Sequence, residues 1–169
     1  MVEVRSHLWF GGNDAHEAAE FYARHIPGSS VDKVIVSPQP DGIVGAPAGQ
    51  PFVVEFTVAG QKYTGLNAGD NFRLDEAFSF LLDVDTQDEV DRYWEILTSD
   101  GGEPGPCGWC KDRFGVSWQV IPRRLYELCG DYTTAANRRA MDAMLQMGKI
   151  DVAALEAAYD GEETPAPAS

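Results

Sequence analysis

CGWCKDRFGVSWQVIP, residues 107–122, reads as a β-hairpin. Trp109 to Asp112 makes a short strand, Asp112-Arg113-Phe114-Gly115 a tight turn, and Val116 to Ile121 a second strand that Pro122 brings to an end. Aromatic residues and the amide of Gln119 stand where one face of that last strand would look into a cleft. The stretch also contains a C-x-x-C pair, Cys107 and Cys110. In a thioredoxin-like site such a pair opens a helix, whose N-terminus lowers the thiol pKa. Here a strand and a turn follow, so a redox role lacks that support. A zinc site would need two more ligands, and Cys129 is the only further thiol. Cys107, beside the cleft, stays open as a reactive thiol.

Working outward from the hairpin, the chain shows the same grammar twice. His7-Leu8-Trp9-Phe10 reads as a strand, and a helix follows from Asp14, with Glu17 three residues on in a capping-box pattern. Ala18, Phe21, Tyr22 and His25 form its apolar face, and Pro27-Gly28 ends it. At an offset of 72 residues, Phe78 to Val84 is a strand, Thr86 and Glu89 form a second capping box, and Val90, Tyr93, Trp94 and Leu97 repeat the helical spacing. Asp14 falls on Thr86, Glu17 on Glu89, Phe21 on Tyr93 and Tyr22 on Trp94, which is the mark of an internal repeat. In the first half three strands follow the helix: Ser30 to Ser37, Phe52 to Ala59 and Gln61 to Asn67. In the middle one, Val53, Glu55 and Thr57 alternate with Phe52, Val54, Phe56 and Val58. Ala59-Gly60-Gln61 is a hairpin turn, and the Pro- and Gly-rich segment from Pro38 to Pro51 reads as a mobile loop.

Beyond the hairpin the pattern becomes helical. Arg138 to Gly148 sets Met141, Met144 and Leu145 on one face, and Asp151 caps a second helix with Val152, Leu155 and Tyr159. Packing accounts for the methionines better than a ligand box does. The segment 161–169, with Pro165 and Pro167, reads as a disordered tail.

Composition bounds the function. A chain of 169 residues with 44% apolar and 11% aromatic residues can build one domain, or two small halves. No run approaches the ~18–20 apolar residues of a membrane span. The N-terminus shows no signal-peptide pattern, so a soluble cytoplasmic protein is expected. The net charge of −14 argues against nucleic acid, whose phosphates demand clustered Lys and Arg. Three cysteines fit reduced thiols.

The expected fold is α+β: two βαβββ modules forming curved mixed sheets around a cleft, plus a C-terminal helical hairpin. The boundaries are 1–70, 76–122 and 133–160 within one domain of residues 1–160. That plan resembles the vicinal oxygen chelate superfamily, which includes glyoxalase I, extradiol dioxygenases and bleomycin-resistance proteins. The closer resemblance is to its PhnB-like branch, often labelled demethylubiquinone methyltransferase-like. It is carried by HLWF at 7–10, EAAEFY at 17–22, GLNAGD at 65–70, FSFLLDVD at 78–85, DEVDRYW at 88–94, residues 107–122, and MLQMGKIDVAALEAAY at 144–159.

The resemblance implies metal ligands from the first and last strand of each half. Carried over, those positions are His7, Asn67, Ser79 and Gln119, with Gln119 standing where glyoxalase-like members carry a glutamate. One imidazole, two amides and a hydroxyl form a poor set for a zinc-like ion, which prefers imidazole, carboxylate or thiolate. No metal or other cofactor is therefore expected; if a divalent metal binds, His7 and Gln119 would hold it. His7 is either a cleft base or a structural residue. His16 and His25 read as helix-surface or helix-end residues. Asn67, Ser79, Trp109, Trp118 and Gln119 are the expected ligand contacts, with core or dimer packing the alternative for the two tryptophans. The branch's methyltransferase label conflicts with the residues: Phe10-Gly11-Gly12-Asn13 lacks G-x-G spacing, and one helix per three strands does not make a doubly wound sheet. The leading expectation is a homodimer binding a small, partly aromatic or apolar molecule without a tightly held metal. A metal-dependent lyase, isomerase or dioxygenase centred on His7 is the alternative, and a ligand-free dimeric scaffold a third.

Overall fold

In the computed structural model, which describes residues 2–162, the first half folds as β1 (Ser6–Trp9), α1 (Ala15–His25), β2 (Ser30–Val36), β3 (Pro51–Val58) and β4 (Gln61–Leu66). The second repeats the order with β5 (Ser79–Val84), α2 (Gln87–Thr98), β6 (Glu103–Pro104), β7 (Trp109–Lys111) and β8 (Ser117–Pro122). Each half makes a four-stranded mixed sheet: β1-β4-β3-β2 in one and β5-β8-β7-β6 in the other. The first and last strands of each half lie side by side and parallel, and the remaining pairs are antiparallel. This is the βαβββ plan used twice. The chain divides into two compact units at Asp75/Glu76.

Alternation decides which sheet face meets the helix. In the first unit Leu8, Val54, Phe56, Val58 and Tyr63 are buried with Ala15, Ala18, Phe21 and Tyr22 of α1. Val53, Glu55 and Thr57 lie half-buried on the opposite, open face. Gly65 permits the close approach of helix and sheet, since a Cβ there would stand 2.8 Å from the Ala15 Cβ. The β3–β4 hairpin closes through Ala59 and Gly60 at φ 47° and 84°, the left-handed pair that a two-residue hairpin uses. The segment 38–50 is folded on itself: Ile43 and Ala46 form a bridge, and the buried Ser37 hydroxyl donates to Ala46 O at 2.8 Å.

The two helix starts differ. Thr86 and Glu89 form the expected capping box on α2. Asp14 does not form one on α1; it sits at φ −113°, ψ 18° with no side-chain capping bond. The physical reason is that another residue takes the role. The Asn67 Oδ1, just past β4, accepts from the Ala15 N–H at 3.0 Å.

Three helices follow β8: α3 (Arg123–Cys129), α4 (Ala135–Met144) and α5 (Val152–Asp160). The last two are the expected hairpin, and α3 is an addition. Leu125, Leu128, Cys129, Ala140, Ile150 and Leu155 form their core with Ile121 of β8, and Met141, Met144 and Tyr159 pack against it. Gln87 of α2 ties this appendage down. Its Nε2 donates to Ile150 O at 3.0 Å, and its Oε1 accepts from the Val152 N–H at 2.9 Å. Gly161, left-handed, caps α5; the rest of the expected tail, 163–169, lies outside the described residues.

Candidate functional site

Trp118 and Val120 of β8 are buried on the helix side of the second sheet, so Ser117, Gln119 and Ile121 point to its open face. Register then builds two rows across that face. Leu81 pairs with Gln119, and Gln119 with Trp109. Ser79 pairs with Ser117, Ser117 with Lys111, and Lys111 with Glu103. Three of the five expected ligand contacts therefore share one face. Gln119 Nε2 donates to Ser79 Oγ at 2.9 Å, and half-buried Trp109 stands beside Gln119.

At the β6–β7 end of this face lies a cavity of ≈ 320 Å³, lined by Glu76, Glu103, Trp109, Lys111 and Ser117 and by the chain at 104–106. Its floor is anchored next door, where the Cys107 and Gly108 N–H groups donate to Met147 O and Gly148 O at 2.8 and 2.7 Å. Lys111 Nζ lies 2.6 Å from Glu76 Oε1. The hydrogen bond from Lys111 holds the Glu76 carboxyl below the usual carboxylate range. The buried Ser117 hydroxyl makes no hydrogen bond.

Two expected contacts lie elsewhere. Trp118, 1% exposed, packs against Phe80 at 4.5 Å and donates through Nε1 to Asp112 Oδ2 at 2.8 Å. Asp112 Oδ1 accepts from the Phe114 and Val116 N–H groups, so Trp118 locks the hairpin turn from the core side. Asn67 is fully buried on the helix side, where its Nδ2 donates to Pro51 O at 3.0 Å and its Oδ1 caps α1. The open-face residue at that strand end is Leu66, and a one-residue slip in register exchanges the faces.

His7 is exposed on β1. It pairs with Thr64, which pairs with Glu55, so the three form one row on the open face of the first sheet. Arg5 Nη1 lies 3.8 Å from Glu55 Oε2. His16 lies 3.7 Å from Glu20 on the surface of α1, and the His25 ring packs 4.7 Å from Phe21 at the helix end. With Asn67 turned to the core and Ser79 and Gln119 bonded to each other, the first- and last-strand positions do not fit a zinc-like ion. Among the described residues no three His, Cys, Asp or Glu side chains gather as a metal cluster.

Sequence reasoning passed over Glu76, Glu103, Lys111 and Ser117. The signal available was the hairpin register: once Trp109 is set opposite Gln119, Lys111 must face Ser117. The C-x-x-C pair divides between environments. Cys110 is buried, and burial first, then the Asp112 charge, pushes its thiol up to about 12; Cys107 is half-buried.

Comparison with known proteins bears on the fold. A family model described as 3-demethylubiquinone-9 3-methyltransferase matches residues 2–121. No curated protein matches the chain. Among solved structures, the PhnB protein of Bacillus cereus is similar at 24% identity and a TM-score of 0.61, covering 72% of this chain and 99% of its own. Protein PA1353 of Pseudomonas aeruginosa is similar at 22% identity and a TM-score of 0.55, covering 72% and 98%.

Proposed function

The chain belongs to the 3-demethylubiquinone-9 3-methyltransferase family, in the PhnB-like branch of the vicinal oxygen chelate superfamily, and from that premise we propose that it binds a small molecule on the open face of its second module without the superfamily metal. The carrying observation is the Gln119–Ser79 hydrogen bond, whose two residues pair across the sheet with Trp109 and Ser117 of the lining of the ≈ 320 Å³ cavity. A buried-edge amide offers two donors and an acceptor to orient a polar group, and an indole supplies apolar area for a flat one. The family's label does not carry over as methyl transfer. Each sheet is four-stranded and mixed, and neither is the doubly wound parallel sheet with a glycine-rich phosphate turn that dinucleotide-type cofactors use.

The protein is further proposed to pair with a second copy. Native mass spectrometry of gently purified protein tests ligand, metal and dimer together. A co-purifying organic mass, or thermal stabilisation by members of a metabolite panel that Gln119→Ala reduces, supports the reading. Stoichiometric divalent metal that is lost on His7→Ala would replace it with the metal-dependent alternative, in which Glu55, in the row of His7, would be the residue to examine next.

A further inference from the structure

Resting on that reading, we propose that the cavity beside Trp109 takes a small organic cation: an ammonium group on a flat apolar body that also carries a hydrogen-bonding group. Three observations converge on that class. The first is charge. Glu76, Glu103 and Lys111 line the cavity, and Lys111 is already committed to Glu76 at 2.6 Å. Glu103 is the direct cross-strand neighbour of Lys111, yet its carboxylate has no ion pair or hydrogen bond among the described residues. The cavity thus carries one uncompensated negative charge, within a chain of net charge −14, and a long-range field of that sign concentrates cations.

The second observation is Ser117. The residue is 1% exposed and lines the cavity, and its hydroxyl has no hydrogen-bond partner among the described residues. A buried polar atom left unmade is costly, and an occupant offering a hydrogen-bonding group removes that cost. Ser117 and Glu103 flank Lys111 on either side in the same row, two strand spacings apart, or about 10 Å. One ammonium does not reach both, whereas a ring-sized molecule with a cation at one end and a hydroxyl at the other spans them. The third is Trp109, which lines the cavity from the neighbouring row beside Gln119, and indole is the best side-chain face for a cation. A carboxylate occupant of the same shape would have to displace Glu76 from Lys111 and lie beside Glu103.

Matched probes separate these cases: tyramine as the cation, 4-(2-hydroxyethyl)phenol as the neutral analogue, and 3-(4-hydroxyphenyl)propionate as the anion. Titrations of the full chain would follow the Trp109 indole N–H by NMR, assigned with Trp109→Phe. Tyramine is expected to bind at least tenfold more tightly than the anion and to weaken with salt. Glu103→Gln, an exposed and fold-neutral change, is expected to weaken tyramine about tenfold, and Ser117→Ala to weaken tyramine and its neutral analogue similarly. Equal or tighter binding of the anion, or tyramine binding indifferent to Glu103→Gln, overturns the proposal. If only neutral or anionic metabolites stabilise the protein through Gln119, this inference fails while the binding reading stands. If no small molecule stabilises it at all, both fail.

Discussion

Asn67 shows how one side chain can hold two elements in place. It gives its acceptor to the first turn of α1 and its donor to the chain entering β3. Truncation leaves the Ala15 N–H and the Pro51 carbonyl without these partners, so Asn67→Ala is expected to destabilise by about 2–3 kcal/mol. Asn67→Asp keeps the acceptor but sets a second oxygen against Pro51 O, and it should also destabilise. Urea unfolding measures both, and an unchanged midpoint in the alanine variant would show that the cap is dispensable. Cys110 yields a pH prediction. Its thiol, pushed up to about 12 by burial and then by Asp112, keeps its proton between its ordinary value of 9.0 and that point, while the unfolded chain releases it. Its contribution is therefore complete below pH 9 and lost as pH rises toward 12. Cys110→Ala should flatten the alkaline fall in stability relative to the parent. Tyr126, whose hydroxyl burial also pushes up to about 12, is present in both proteins and cancels in the difference. In the folded protein, alkylation should reach half-buried Cys107 well before buried Cys110 and Cys129.

At the scale of elements, the legible parts of the chain were those with a long period or a strong punctuation mark. Thr86 and Glu89 announce α2, and both residues cap as read. The six- to eight-residue strands of the first half stand within a residue of their expected ends. What escaped was short or set by a distant partner. The seven residues of α3 present only Leu125, Leu128 and Cys129 as a stripe, directly after a proline that reads as a terminus. The cap of α1 comes from 52 residues away, beyond any local pattern. Gln87 belongs to the same class: in sequence it is an ordinary polar residue of a helix's first turn, and in space it is the tether of α5. Gln87→Ala removes the partner of the Ile150 carbonyl and the Val152 N–H together. The expected cost is about 1–3 kcal/mol, concentrated at the appendage. Hydrogen exchange should quicken in residues 150–160 while β3 and β4 stay protected; uniform quickening would mean that the appendage and sheets open as one unit.

For the whole molecule, the 72-residue repeat carried the fold because duplication writes one topology twice, and agreement between the copies outweighs the weakness of either. The site gained little from that symmetry. His7 and Ser79 are counterparts, yet one is an exposed imidazole on its sheet and the other the hydrogen-bond partner of Gln119. Glu76 stands at the very start of the second module, ahead of β5, where no periodic signal exists. Charge is the one property that acts over the molecule at once. Twenty-seven acidic residues against thirteen basic ones give a self-repulsion that opposes the compact state. The ion pairs present, such as Arg123–Asp85 at 3.0 Å and Lys149–Asp91 at 2.6 Å, are largely exposed, and pairs of that kind each contribute only about 0–1 kcal/mol. Salt screens both, and at about 10 Å the Debye length of a 0.1 M solution leaves long-range repulsion weaker while close pairs lose less. Repulsion should therefore govern the sign. Raising NaCl from about 10 mM to 500 mM at pH 7 is expected to raise the melting temperature by a few degrees, the response of a domain gaining about 1 kcal/mol. A fall over the same range would mean that the surface pairs outweigh the net charge, and that the acidic excess is arranged with more local compensation than the pairs at Asp83, Asp91 and Glu76 provide.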